Sequence, residues 1–453
     1  MISRRDQLQS YQFMNQRVIS AFVMRETDPA QSPLRRGIGA LFGGLMVAVL
    51  VAAGFGIYGL LTRTGAGQWQ QDGSVVVERE TGASFVYLRG RLNPALNFTS
   101  AKLASGRPNP PVFRIAAKSL AGTPRGVTIG IAGAPASLPE PARQAGLPWA
   151  ICAIPGDRPT SILLVGATGP AGTPLGDRAL LVTDDTATHL IWQGRKHRIP
   201  ERTTVVALFG NQAPTRIGTA WLNALPSGTD IAPITVDDLG DASEAAPGFD
   251  IGDILVTDTG SGRQFNLILD DGRAPITSVQ QVVLSASADF GEPRKIAVDQ
   301  LTDIPESRAP NTGDANVRGP DQVPRLAAVA ADESACAVTR DAAKPPDLTV
   351  GGPASAYDAA IPTSGTAGSG RLLADRIQVG GGRFALVRVP GSGSFALVTD
   401  VGLRHPIPNP DALARLGYTP ALAAEIPTAL INAIPPGVTL DPAAAGLPAA
   451  NPN

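Results

Sequence analysis

Histidine, cysteine and aromatic residues are scarce in this chain. It has three histidines and two cysteines in 453 residues, and Phe, Trp and Tyr together make 5% of it. No Cys and no second His stands within five residues of His189, His197 or His405, so no metal centre is expected. The net charge of −1 removes any general electrostatic pull toward nucleic acid. GxxxxGK[ST], GxSxG and HExxH are all absent, which leaves no P-loop, nucleophile elbow or zincin helix. Gly130–Gly133, GIAG, follows a strand-like run but lacks the rest of a GxGxxG. The pairs Asp184-Asp185 and Asp237-Asp238 would point to opposite faces of a strand and read as solvated turns. Asp250 and Asp253 lack the further ligands of an EF-hand. No catalytic, cofactor-binding or metal-ligating residue is expected, and a scaffold or binding role is favoured over an enzyme.

Charge is also missing from one long run. Ile38–Leu61 holds 24 residues without a charged side chain. As a helix it would be ~36 Å long, enough to cross a hydrocarbon core of ~30 Å with some tilt. Arg4, Arg5, Arg17, Arg25, Arg35 and Arg36 precede it, and only Arg63 follows closely. That bias predicts a single-pass protein with residues 1–37 in the cytoplasm. Ser3 and Asp6 have capping-box spacing. Leu8, Tyr11, Met14, Val18 and Phe22 then recur at three- and four-residue steps, which predicts a cytoplasmic helix with an apolar face. Such a face docks on a partner protein or lies on the inner leaflet.

Glycine and proline are plentiful, 91 residues together, and they mark a repeat. "GRKHRIP" at Gly194 and "GLRHPIP" at Gly402 each follow a strand-like run. The same frame fits FVYLRGRLNPALN, turning at Gly90, and QFNLILDDGRAPIT, turning at Asp271-Gly272. Each predicts a β-hairpin, with Gly90, Gly194, Gly272 and Gly402 supplying the turn. A helix-like stretch follows each, then a second one ending in KSLAGTPRG, WLNALPSG, QLTDIPES or LINAIPPG. From hairpin glycine to closing proline the step is 34, 32, 33 and 33 residues. The positions equivalent to His197 and His405 hold Asn93 and Pro275, so a structural role is expected for both histidines.

The gaps between repeats are unequal, which excludes a solenoid. Two inserts interrupt the series, one with Cys152 and one with Cys336. In an oxidising compartment these fit a disulfide closing a 184-residue loop, two free buried thiols being the other reading. A bond would join the inserts into a central domain, with repeats one and four on one side and two and three on the other. The expected organisation is a cytoplasmic helix segment (1–37), a transmembrane helix (38–61), repeat 1 (80–125), the first central insert (126–180), repeat 2 (181–232), repeat 3 (250–307), the second central insert (308–382), repeat 4 (383–440) and a Pro/Ala-rich tail (441–453). The fold class is α+β: an elongated extracytoplasmic region of four hairpin-plus-two-helix repeats around a mostly β centre.

Several stretches resemble the EccB family of membrane components of actinobacterial type VII (ESX) secretion systems. SRRDQLQSYQFMNQRVISAF is similar to the family's N-terminal segment, with Gln16 where the family has Arg. YLRGRLNPALNFTSAKLASGRP (87–108) is the most specific match. GIAGAP, with Ala132 for Pro, and WAIC ending at Cys152 also match. The resemblance covers essentially the whole chain. It implies four periplasmic repeats around a central domain with one disulfide, an inner-membrane location and self-association. It implies as partners an EccC-type FtsK/SpoIIIE ATPase, an EccD-type multi-span protein, EccE and a mycosin protease. Some members carry an ATPase label, so an extracytoplasmic ATPase is the alternative function, and a cell-wall-binding module a third. The tail is short for the family.

Overall fold

The computed structural model describes residues 3–25, 33–62, 68–184, 186–260, 262–308, 318–363, 373–389, 391 and 393–449. Asp185 and the last four residues of the tail lie outside them. The chain divides into two compact units, Met1–Gln71 and Asp72–Asn453.

The first unit is helical. Helix α1 spans Arg4–Met24. Ser3 Oγ accepts from the Asp6 N–H at 3.3 Å, and the Asp6 carboxylate accepts from the Ser3 N–H at 3.2 Å. This reciprocal cap satisfies donors that a helix start leaves open. Arg25 ends the helix in the left-handed region at φ 56°. Leu8, Tyr11, Met14, Val18 and Phe22 are all exposed. Helix α2 spans Pro33–Thr62, and its segment Gly37–Tyr58 is long and apolar enough to cross a membrane, with none of that stretch buried. So much exposed apolar surface is unfavourable in water and suits lipid. Replacing both Leu45 and Val49 by Arg is expected to raise the cost of insertion by about 6–8 kcal/mol. Carbonate extraction and immunoblotting should then show the chain lost from the membrane fraction.

The second unit holds four four-stranded sheets of one topology and a central seven-stranded sheet. In each small sheet a three-stranded antiparallel meander leads into a helix. A short fourth strand then pairs parallel to the first, and a second helix follows. Module 1 uses Ser74–Glu78, Ser84–Leu88, Arg91–Ala95 and Val112–Ile115, with helices Phe98–Ala104 and Ala117–Leu120. Module 2 uses Leu180–Thr183, Thr188–Trp192, Arg195–Ile199 and Thr215–Arg216, with Arg202–Phe209 and Thr219–Ala224. Module 3 uses Ile254–Thr259, Gly262–Leu269, Gly272–Ile276 and Arg294–Lys295, with Ser278–Ser285 and Val298–Thr302. Module 4 uses Ala385–Arg388, Phe395–Val398, Arg404–Ile407 and Ala424–Glu425, with Pro410–Leu416 and Thr428–Asn432. Each module thus contains two strands beyond the hairpin. The first sheet begins at Ser74, ahead of the boundary read at 80.

The four turns differ in detail. Leu88 pairs with Arg91 and Trp192 with Arg195, so Arg89-Gly90 and Gln193-Gly194 are two-residue turns. All four turn residues have positive φ (51° and 74°, 46° and 74°), as a primed hairpin turn requires. In module 3 the turn is Asp270-Asp271, because Leu269 pairs with Gly272; Gly272 opens the next strand. In module 4 the loop is longer, Val398 pairing with Arg404. The Gly194 turn is also tightly seated. A Cβ there would collide with the Pro346 carbonyl and meet Pro345 Cβ at 3.0 Å, whereas one at Gly90 would meet nothing within 4 Å. Gly194→Ala is therefore expected to cost more than the ~1–2 kcal/mol of left-handed strain, and Gly90→Ala only that strain. Urea-unfolding midpoints of the two variants check the difference.

The fixed step to the closing proline has a hydrogen-bond cause. The N–H groups of Leu92, Lys196, Arg273 and Arg404 donate to the carbonyls of Pro124, Pro226, Pro305 and Pro435 at 2.8–3.0 Å. Two residues later, Gly126, Gly228, Ser307 and Gly437 donate back to the same four residues at 2.8–3.2 Å. Proline lacks an N–H, and here only its carbonyl is used. The end of each module is thereby stitched to its own third strand.

The central sheet interleaves strands from both inserts, in the order Ile361–Pro362, Arg376–Val379, Thr160–Val165, Trp149–Ile154, Glu333–Thr339, Asp347–Pro353, Thr173–Pro174. Cys152 and Cys336 face each other on neighbouring strands and are disulfide-bonded. The opposite face carries Trp149, Ile151, Leu163, Ala337 and Ile377, in one core with Trp221 and Leu222 of module 2 and Val387 and Ile431 of module 4. Module 1 joins module 4 through Leu103, Leu413 and Leu416. Module 3 joins module 2 through Val205, Leu208, Val279 and Val283. The packing order is therefore 1, 4, centre, 2, 3.

Candidate functional site

The histidines pack as structural groups. His197 Nδ1 lies 2.9 Å from the Thr229 carbonyl and His405 Nδ1 lies 3.0 Å from the Val438 carbonyl, so each Nδ1 carries the proton and donates. Each ring covers the glycine of its closing turn. A Cβ on Gly228 or Gly437 would collide with the imidazole, and one on Gly126 with the Asn93 side chain. In module 3 the same register places Ala274, not Pro275, at this position, because the turn falls one residue earlier, and opposite this small side chain the closing turn has Ser307 instead of glycine. The pairing of a bulky polar side chain with a glycine about 32 residues later is thus a packing rule of the modules. It was readable in the sequence only as an unexplained coincidence of His, Asn and Gly.

Burial holds both imidazoles below their ordinary value near 6.5, and His189 as well. The unfolded chain takes up these protons near pH 6.5 and the folded chain only at lower pH. Between those values the unfolded state binds more protons. The stability contribution is therefore complete above about pH 6.5 and is lost as pH falls through the folded values. Urea midpoints should fall between pH 7.5 and 5, and should fall less for His197→Asn/His405→Asn, which copies the residue found at position 93.

Among the described residues no group of three or more His, Cys, Asp and Glu could hold a metal ion. Asp184 is occupied by its own loop, accepting from the Thr186 N–H at 2.8 Å, the Thr186 hydroxyl at 2.7 Å and the Ala187 N–H at 3.0 Å. Asp253 pairs with Arg294 at 2.7 Å and accepts from the Asp250 N–H at 3.2 Å. The GIAG segment packs on the helix Phe98–Ala104. The Ile131 N–H donates to Ser100 Oγ at 2.9 Å, and Asn97 Nδ2 donates to the Ile131 carbonyl at 2.8 Å. The disulfide is closed over by Tyr357, whose hydroxyl lies 3.1 Å from Cys336 Sγ and 2.8 Å from Ser334 Oγ.

The tail has a role the sequence reading missed. The Leu440 N–H donates to the Pro406 carbonyl of module 4 at 2.8 Å. Helix Pro442–Ala445 then lies against Phe98–Ala104. The Gly130 and Ala449 N–H groups bond the carbonyls of Leu447 and Thr128 at 3.3 and 2.9 Å. The segment straps module 1 to module 4. Two cations reinforce the same junction. Lys102 Nζ donates to the Leu416 carbonyl at 2.7 Å and Arg415 to the Leu103 carbonyl at 3.1 Å, each at the C-terminal end of the other's helix.

The chain thus consists of two long helices and a body of stitched modules around a central sheet. The chain is 32% identical over 327 residues to the ESX-2 secretion system ATPase EccB2 of Mycobacterium tuberculosis, a match covering 67% of this chain and 64% of the relative. It is 28% identical over 437 residues to the ESX-3 secretion system ATPase EccB3 of Mycolicibacterium smegmatis, covering 89% and 82%. The chain thus spans 64% of the length of the first of these relatives. Its fold is similar to a chain of an intact ESX-5 inner membrane complex, with a TM-score of 0.67, 24% identity, and 100% and 97% of the two chains covered. It is also similar to the EccB3 dimer from the ESX-3 core complex, with a TM-score of 0.65, 24% identity, and 82% and 99% covered. The family model described as "Type VII secretion system ESX-1, transport TM domain B" matches residues 1–450, through the N-terminal helix, the apolar helix and all four modules, and the chain belongs to the EccB family of type VII secretion membrane components.

Proposed function

We propose that the chain is a structural, membrane-anchored subunit of a type VII secretion machine. The observation that carries this reading is the family match across residues 1–450, which takes in an apolar helix and a stitched multi-module body together. In this reading α1 lies in the cytoplasm and docks through Leu8, Tyr11, Met14, Val18 and Phe22. Helix α2 anchors the chain in the inner membrane. The body from Asp72 onward stands outside and meets other copies of itself. The partners are an EccC-type FtsK/SpoIIIE ATPase, an EccD-type multi-span protein, EccE and a mycosin protease. Support comes from the solved neighbours, an inner membrane complex and a dimer. Arginine bias before the span supports the orientation.

The relatives' names favour a second reading, an ATPase. The sequence has no GxxxxGK[ST] to cradle a nucleotide phosphate. Affinity purification of the tagged full-length chain in mild detergent, followed by mass spectrometry, tests the first reading. Recovery of an FtsK-type ATPase and a multi-span protein is the expected result. A chain that purifies alone and turns over ATP sinks it.

A further inference from the structure

The modules are alike in fold but not in charge. Residues 72–126, which make module 1, hold eight Lys or Arg against three Asp or Glu. Residues 230–308, which make module 3 and its lead-in, hold five against fifteen. The two lie at opposite ends of the packing order, module 1 joined to module 4 and module 3 to module 2.

The internal repetition also marks a docking face. In modules 2 and 4 the hairpin turn is seated on the central domain. A Cβ at Gly194 would collide with Pro346, and one at Gly402 with the Ile377 side chain. The same turn in module 1 is open, with nothing within 4 Å of a Cβ at Gly90. It carries the exposed Arg89 and Arg91, with Arg125 beside them, the Arg91 guanidinium donating to the Arg125 carbonyl at 3.4 Å. One carboxylate adjoins this patch, Asp72, which accepts from the Arg89 N–H at 2.8 Å.

The equivalent turn of module 3 is Asp270-Asp271, with Glu306 at the position of Arg125. The Glu244 and Ala245 N–H groups bond Asp270, at 3.4 and 3.1 Å, which brings Glu244 beside the turn, with Asp241 three residues ahead of it in the same loop. Glu306 is paired with Arg273 at 3.1 Å, and Asp271 accepts from Ser307 and from the Arg308 N–H. Asp241, Glu244 and Asp270 are exposed and have no ion pair among the described residues.

We infer that the Arg89–Arg91–Arg125 turn of one chain seats against the Asp241–Glu244–Asp270 face of a second chain, so that the bodies associate head to tail through modules 1 and 3. The inference rests on the reading that this chain assembles with further copies of itself. A contact between two different surfaces is heterologous and closes into a ring when its rotation permits. Opposed charge fixes the register and disfavours pairing of like ends.

The test uses the full-length chain in detergent, with self-association followed by sedimentation. One variant reverses module 1 (Arg89→Glu, Arg91→Glu, Arg125→Glu). The other reverses module 3 (Asp241→Lys, Glu244→Lys, Asp270→Lys). Each alone is expected to weaken association at least about tenfold, and an equimolar mixture of the two to recover it, because the reversed module 1 of one variant then meets the reversed module 3 of the other, and their native ends meet each other. Single substitutions Arg125→Glu and Asp241→Lys give a milder version with less risk to folding. In the native chain, raising NaCl from about 0.1 M to about 0.5 M should weaken the contact. Native-strength association of either triple variant, or a mixture that stays dissociated, overturns the head-to-tail contact while self-association stands. A native chain that stays monomeric at all concentrations overturns the self-assembly reading as well.

Discussion

Removing the Cys152–Cys336 bond is expected to lower the stability of the body more than any other two-atom change. The bond closes a loop of 184 residues, and chain entropy alone assigns such a closure about 5 kcal/mol. The loop contains all of modules 2 and 3, so without it the two inserts must find each other across two folded modules. In the native sheet the cysteines are opposed on neighbouring strands and buried with Ile162, Leu164, Val338 and Tyr357. Cys152→Ala/Cys336→Ala should therefore lower Tm by about 6 °C if the body of about 380 residues unfolds as one unit. Reductant should bring the native chain down to the variant and leave the variant unchanged. Equal Tm values for the two proteins would show that the ladder of the central sheet suffices.

Trp221→Ala should have an effect of similar size by a different route. Trp221 is fully buried on the helix Thr219–Ala224, in the core shared by module 2, the central sheet and module 4. Truncating a buried tryptophan costs about 3–5 kcal/mol. Its indole N–H has no acceptor among the described residues. Trp221→Phe gives up no internal hydrogen bond and should recover most of the loss. Urea unfolding of the two variants separates volume from polarity. Equal midpoints for Ala and Phe would contradict the packing argument.

Much of this was legible because a few residues admit few backbones. Ser3 and Asp6 announced the start of α1. Gly90 and Gly194 announced hairpin turns, since their φ values are closed to most side chains. Asn409 and Pro410 are the residue types that open a helix, and Asn409 Oδ1 accepts from the Ala412 N–H at 2.9 Å at the start of Pro410–Leu416. At Asp271-Gly272 the dipeptide signal shifted the turn by one residue, because the closing strand uses Gly272 for its tight approach to Pro305. The other elements left no local trace. Thr215–Arg216 and Ala424–Glu425 are two-residue strands, too short for any periodicity. Ser74–Glu78 carries three β-branched valines and is a local strand signal, but nothing local says that it pairs with both Ser84–Leu88 and Val112–Ile115. The strap from Leu440 to Ala449 is rich in alanine and proline with one short turn of helix, and its partners in module 1 and the segment after it lie more than three hundred residues back. Pairing across such distances is set by tertiary packing, which one sequence does not encode in any window.

The most direct measurement is the native size of the full-length chain in gently solubilised membranes, read by blue native electrophoresis and immunoblotting. The assembly reading predicts a megadalton-scale particle that also contains the FtsK-type ATPase. It further predicts that deleting residues 3–25 removes the ATPase from that band. A chain that migrates at the size of a monomer or a bare dimer, with or without residues 3–25, would contradict it.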